Sequence, residues 1–153
     1  MGLNSFNIRM NFERAIMRSE MPQFRYYQNF NTYYFKGWQR TSTMGRRYEL
    51  KLTLTQWYPD DMPALYVISP IQLKSFNSWK TINQSGLSHT NHTQTNGPNG
   101  CVQICHFRPE RWDASQTCVG VFTKGILWLE AYENYLITGS DIASILARWR
   151  RRQ

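Results

Sequence analysis

The chain has 153 residues, 41% apolar and 15% aromatic. That is enough for one domain whose core needs no disulfide or metal staple, and too apolar for a disordered segment. A net charge of +8, from 18 Lys and Arg against 10 Asp and Glu, favours an acidic partner, and the lack of any apolar run of about 18 residues excludes a membrane-spanning helix.

Residues 7–21 read as a helix. Ile8, Phe12 and Ile16 recur at spacings of four and are expected to share a buried face, with Asn7 as cap and Pro22 as stop. Residues 24–35 are rich in Phe and Tyr and suit the entry to a strand. Tyr48 to Leu54 alternates apolar and polar, the pattern of a strand with one wet face, whereas the proline-bracketed run Pro63 to Pro70 suits a more buried strand. Gly37 and Gly45 mark the intervening turns. Residues 82–100 are loop material, with clustered Asn, Gly and Pro. From Gln116 to Thr138 the chain reads as a helix with Val119, Phe122, Ile126, Leu129 and Leu136 on its apolar stripe, despite Gly120 and Gly125. Gly139 is placed to end it, and Ser140 and Asp141 to cap a last helix over 142–152. That helix carries a basic tail from about residue 148, with Arg148, Arg150, Arg151 and Arg152. The order predicts an α+β fold: one domain over residues 1–153, with an antiparallel meander sheet of about four strands and flanking helices.

The start, Met1 to Phe6, has neither the basic region nor the long apolar run of a secretory leader, so a cytoplasmic chain with free thiols is expected. Three cysteines carry the candidate chemistry. Cys105 closes an apolar run, Cys101 follows Gly100 at the end of the loop where exposure is expected, and Cys118 opens a helix and is expected to pack. His106 would point away from Cys105 in an extended segment.

The run Ile104-Cys105-His106-Phe107-Arg108-Pro109-Glu110-Arg111-Trp112, followed by Trp128, Leu129, Tyr132, Glu133 and Thr138-Gly139, resembles the active-site region of ubiquitin-conjugating enzymes. More narrowly it resembles their bacterial relatives in CBASS-type antiphage operons. Gly37-Trp38, Tyr48 to Leu54, Pro63 to Val67 and Pro70 resemble the strand and proline cadence of the same proteins, so the resemblance spans about residues 8–140. It implies the ubiquitin-conjugating fold and a thioester on Cys105, with a cGAS-like cyclic-nucleotide synthase as the protein held through its C-terminus and then passed to an amine. Cys101 is the alternative nucleophile.

The family places an oxyanion-stabilising asparagine in a His-Pro-Asn motif. The nearest match is His89-Thr90-Asn91, in which Thr90 replaces the proline and 13 residues separate Asn91 from Cys105. No phosphate-cradling glycine motif is present, so the chain needs an activating partner, a preactivated acyl donor or a substrate peptide bond to attack directly, and no cofactor is expected.

Other readings use the same residues. His89, His92, Cys101 and Cys105 offer four zinc-type donors, in a spacing that matches no common finger. The fold could also serve as a non-catalytic module that holds a partner's tail. Charge and aromatic content would suit nucleic acid, but that reading rests on those two features alone, and nucleic acid is not expected as the partner.

Overall fold

The computed structural model describes residues 3–85, 91–93 and 97–151. Strands β1 (Arg25–Asn29), β2 (Thr32–Arg40), β3 (Arg47–Leu54), β4 (Ala64–Ser69) and β5 (Val102–Ile104) each pair antiparallel with the next, giving a five-stranded open meander. Helix α1 (Leu3–Glu20) precedes the sheet, a single turn α2 (Ile82–Ser85) lies between β4 and β5, and α3 (Cys118–Thr138) and α4 (Ile142–Arg151) follow. The sheet exceeds the expected four strands at its margins. Residues 24–35 hold one strand and the start of the next, and three-residue β5 is too short to show a period of two.

Alternation decides which face is covered, because successive side chains of a strand point to opposite sides. Tyr48, Leu50, Leu52 and Leu54 of β3 are buried, as are Leu65 and Val67 of β4 and Tyr33 and Phe35 of β2. Helix α3 lies against this face through Phe122, Trp128, Leu129 and Tyr132. Its Gly125 is a contact point: a Cβ there would come within 2.5 Å of Leu65. Thr117 Oγ1 caps α3 by accepting from the Gly120 amide at 3.1 Å, and Gly139 ends it in the left-handed conformation with φ 79°. Of the two residues expected to cap α4, Asp141 does so, its carboxylate accepting from the Ser144 amide at 2.8 Å.

Helix α1 turns the other way from the expectation. Ile8, Phe12 and Ile16 are 60%, 65% and 39% exposed, while Phe6, Met10, Glu13 and Met17 are buried. The buried set has the better helical period, with spacings of four, three and four, but its charged member disguises it. Glu13 is accommodated because its carboxylate accepts from the Tyr58 hydroxyl, from Arg9 Nε at 3.3 Å and from the Cys118 amide at 3.2 Å. A carboxylate is favoured at the N-terminus of α3, where free amides and the helix dipole present positive charge. Gly37 likewise marks a close approach inside β2 rather than a turn: a Cβ would fall 1.9 Å from the Gln23 carbonyl oxygen. No helix among the described residues is long and apolar enough to cross a membrane.

Two glutamates of α3 fasten the turn between β2 and β3. Buried Glu133 accepts from the Tyr48 hydroxyl at 2.8 Å and the Met44 amide at 2.9 Å. Glu130 accepts from the Ser42 and Thr43 amides at 2.7 and 2.9 Å. Partial burial opposes ionisation of Glu130, but these hydrogen bonds outweigh it and hold its carboxyl below the usual value. A lowered folded-state pKa gives stability that is present above the unfolded value and lost as pH falls through the folded one. Glu130→Gln should therefore destabilise the fold at neutral pH by up to about 1 kcal/mol, the side chain being largely solvated. Urea titrations should show that difference shrinking as the pH drops below about 4.

Candidate active site around Cys105

Cys105 lies one residue beyond β5, where the chain leaves the sheet. Its amide donates to the His92 carbonyl at 2.9 Å, and Thr93 bridges antiparallel to Ile104. These two links fold residues 91–93 back alongside the cysteine, so the 13 residues that separate Asn91 from Cys105 in sequence do not separate their backbones in space. His92 makes the bend with φ 51°, a left-handed conformation that histidine enters more readily than most residues. The Asn91 carbonyl accepts from Trp128 Nε1 of α3 at 2.8 Å, and Asn91 is itself buried. His89 and Thr90 lie outside the described residues.

The three thiols separate by burial. Cys105 is half-buried, and Cys101 and Cys118 are buried. The exposure expected of Cys101 is not found: it is 3% exposed, packed where Gly97 and the Tyr66 ring close over it. Its carbonyl accepts from the Gly97 amide at 2.8 Å and Asn83 Nδ2 at 3.2 Å, which fixes the end of the loop. Burial pushes the Cys101 thiol up from its ordinary value. Cys118 packs at the start of α3, and burial, reinforced by the Glu13 charge, raises its thiol well above the ordinary value. A helix N-terminus favours thiolates, but here the carboxylate of Glu13 occupies that position.

His106 faces inward. Its Nε2 donates to the Pro63 carbonyl at 2.7 Å, Nδ1 has no hydrogen-bond partner, and the ring meets Trp112 edge to face at 5.9 Å. Burial lowers its pKa, with Lys124 adding to the effect, so the neutral imidazole holds the turn to β4's approach. The set of four zinc donors is not assembled in what is described. His89 lies outside the described residues, and no group of three or more His, Cys, Asp or Glu there could hold a metal ion.

The residue that sequence reading missed is Lys124 of α3. Its ammonium sits 3.5 Å from the centre of the Phe107 ring, and the Phe107 carbonyl lies 3.7 Å from Cys105 Sγ. Lys124 is exposed, but partial desolvation and the nearby Arg150 of α4 lower its pKa, while the Cys105 thiol acts in the opposite direction. The tail is thus partly gathered: α4 buries Ile142 and Ile145 and brings Arg150 toward the cysteine's neighbourhood. A sequence signal existed, a single cation between Thr123 and Gly125 in an otherwise apolar turn, but only the packing of α3 on the turn after β5 gives it meaning.

The chain matches no protein-family model, no curated protein and no solved structure. The chemistry of this neighbourhood therefore rests on its own geometry. A cation beside a thiol favours the thiolate. Lys124→Met should slow iodoacetamide alkylation of Cys105 at neutral pH, and Lys124→Arg should restore the rate. Stopped alkylation followed by peptide mass analysis measures this directly.

Proposed function

We propose that this chain is a ubiquitin-conjugating-like acyl transferase with Cys105 as its nucleophile. The observation that carries the reading is the pairing of one accessible thiol with a backbone segment, residues 91–93, fastened beside it. The meander sheet, the cysteine-bearing turn after its last strand and the long helix behind it support the ubiquitin-conjugating-like form of the fold.

In the proposed reaction the Cys105 thiolate attacks the carbonyl carbon of an activated acyl group at a protein's C-terminus. A carbon–sulfur bond forms to Cys105 as the bond to the donor's leaving group breaks, and that group departs with the electron pair. An amine then attacks the thioester carbonyl, a carbon–nitrogen bond replaces the carbon–sulfur bond, the amine proton goes to solvent or a nearby base, and the Cys105 thiolate is regenerated. Negative charge gathers on the carbonyl oxygen in both steps. Asn91 is the proposed donor to it, and Lys124 adds positive charge to the same neighbourhood. The resemblance to CBASS-type proteins makes a cGAS-like synthase the proposed acyl-bearing protein, and the cations at Lys124 and Arg150 suit an acidic approach. A second reading, the same fold holding a tail without chemistry, is favoured by Thr90 standing where the family has proline.

Intact mass of the chain co-expressed with a cGAS-like synthase and its operon neighbours tests this. The expected result is an adduct released by thiols and by hydroxylamine, absent from Cys105→Ala, and converted in Cys105→Ser to an oxyester that resists thiols. An adduct that persists in Cys105→Ala would move the chemistry to another residue. A stably bound synthase with no mass change would establish the binding module instead.

A further inference from the structure

The outward face of the sheet is set by strand register. Arg25 of β1 stands directly opposite Lys36 of β2, and Lys36 directly opposite Lys51 of β3. Near the other end of the β2–β3 pair, Arg40 faces Arg47. Like charges placed opposite one another across strands oppose sheet formation. Among the described residues none of these five cations enters a salt bridge, and the single acid at an outward strand position is Glu49, opposite Trp38. The rings on this face carry the cations: Lys36 lies over Tyr27 at 5.4 Å, Lys51 over Tyr34 at 4.4 Å and Arg47 over Trp38 at 5.0 Å. Tyr27 and Tyr34 stack on each other at 5.2 Å, and Tyr27 and Trp38 remain 40% and 42% exposed.

We propose that this face binds single-stranded nucleic acid. Phosphates neutralise the opposed cations, which swing off the rings on flexible stems, and the ring faces so released stack on bases. A ligand of alternating charge and flat apolar rings matches the alternation of cations and aromatics, and base stacking on aromatic side chains tolerates any sequence. A second copy of the chain is disfavoured as the occupant, because each carries +8. The five cations lie on β1 to β3, and β4 stands between these and β5, beyond which Cys105 sits.

Fluorescence anisotropy with labelled oligothymidylate and oligouridylate of about 15 nucleotides tests the inference. With four or five phosphates neutralised, affinity should fall about 100-fold between roughly 50 and 200 mM salt. The double variant Lys36→Gln/Lys51→Gln should weaken binding at least about tenfold at the lower salt and flatten the salt slope. It also relieves the like-charge opposition, so its thermal midpoint should be unchanged or raised, which separates loss of contacts from loss of fold. Trp38→Leu should weaken binding without altering the slope. Binding of either strand supports the inference. The inference is overturned if neither strand binds, if the double variant binds as wild type, or if a labelled oligoglutamate binds as tightly as oligothymidylate, the last result naming an acidic protein as occupant. Loss of binding on Arg148→Gln/Arg150→Gln/Arg151→Gln, with Lys36 and Lys51 dispensable, would place nucleic-acid binding on α4 and overturn it as well.

Discussion

The hydrogen bond from the Cys105 amide to the His92 carbonyl ties the end of the last strand to a stretch of chain 13 residues earlier. Alone it contributes about 1 kcal/mol net. Its weight comes from the parts that depend on it in series. The Thr93–Ile104 bridge continues it along the strand, and Trp128 holds the next carbonyl, that of Asn91, from the helix behind. Trp128 is itself stacked on Tyr132, whose hydroxyl donates to the Lys74 carbonyl. Position of the thiol thus follows from the seating of α3 on the sheet, and that seating relies on Gly125 leaving room for Leu65 and on Glu130 and Glu133 gripping the β2–β3 turn.

Charge is distributed with the same economy. Buried acids serve as internal ties: Glu133 is satisfied by a hydroxyl and an amide, and Glu13 by a hydroxyl, an amide and the Arg9 guanidinium. Two groups of cations lie outside. Lys124 and Arg150 stand near the half-buried thiol, while Arg25, Lys36, Arg40, Arg47 and Lys51 line the outward face of the sheet. Helices α3 and α4, which carry Lys124 and Arg150, pack on the face of the sheet opposite the other five cations.

Much of the frame was legible because its signals are local. The alternation from Tyr48 to Leu54, the turn glycine Gly45, the terminating Gly139 and the cap at Asp141 each depend on a few adjacent residues. What sequence could not show was non-local. The buried face of α1 includes Glu13, which looks polar until Tyr58, Arg9 and the α3 terminus are placed around it. Cys101 follows a glycine in loop-like sequence, yet contacts from Tyr66 and Gly97 bury it. The opposition of Lys36 to Lys51, and of Arg40 to Arg47, exists only once the register is fixed. The coupling of Lys124 to Cys105 needs α3 to cross the turn after β5.

The central claim is that the fold presents one thiol and shelters two. Native chain labelled with limiting iodoacetamide, then digested and quantified by mass, gives the order of reaction. Cys105 should be modified to completion at least about tenfold faster than Cys101 or Cys118, both of which should react only after addition of denaturant. Labelling of Cys101 at the same rate as Cys105 in the folded chain would contradict the account.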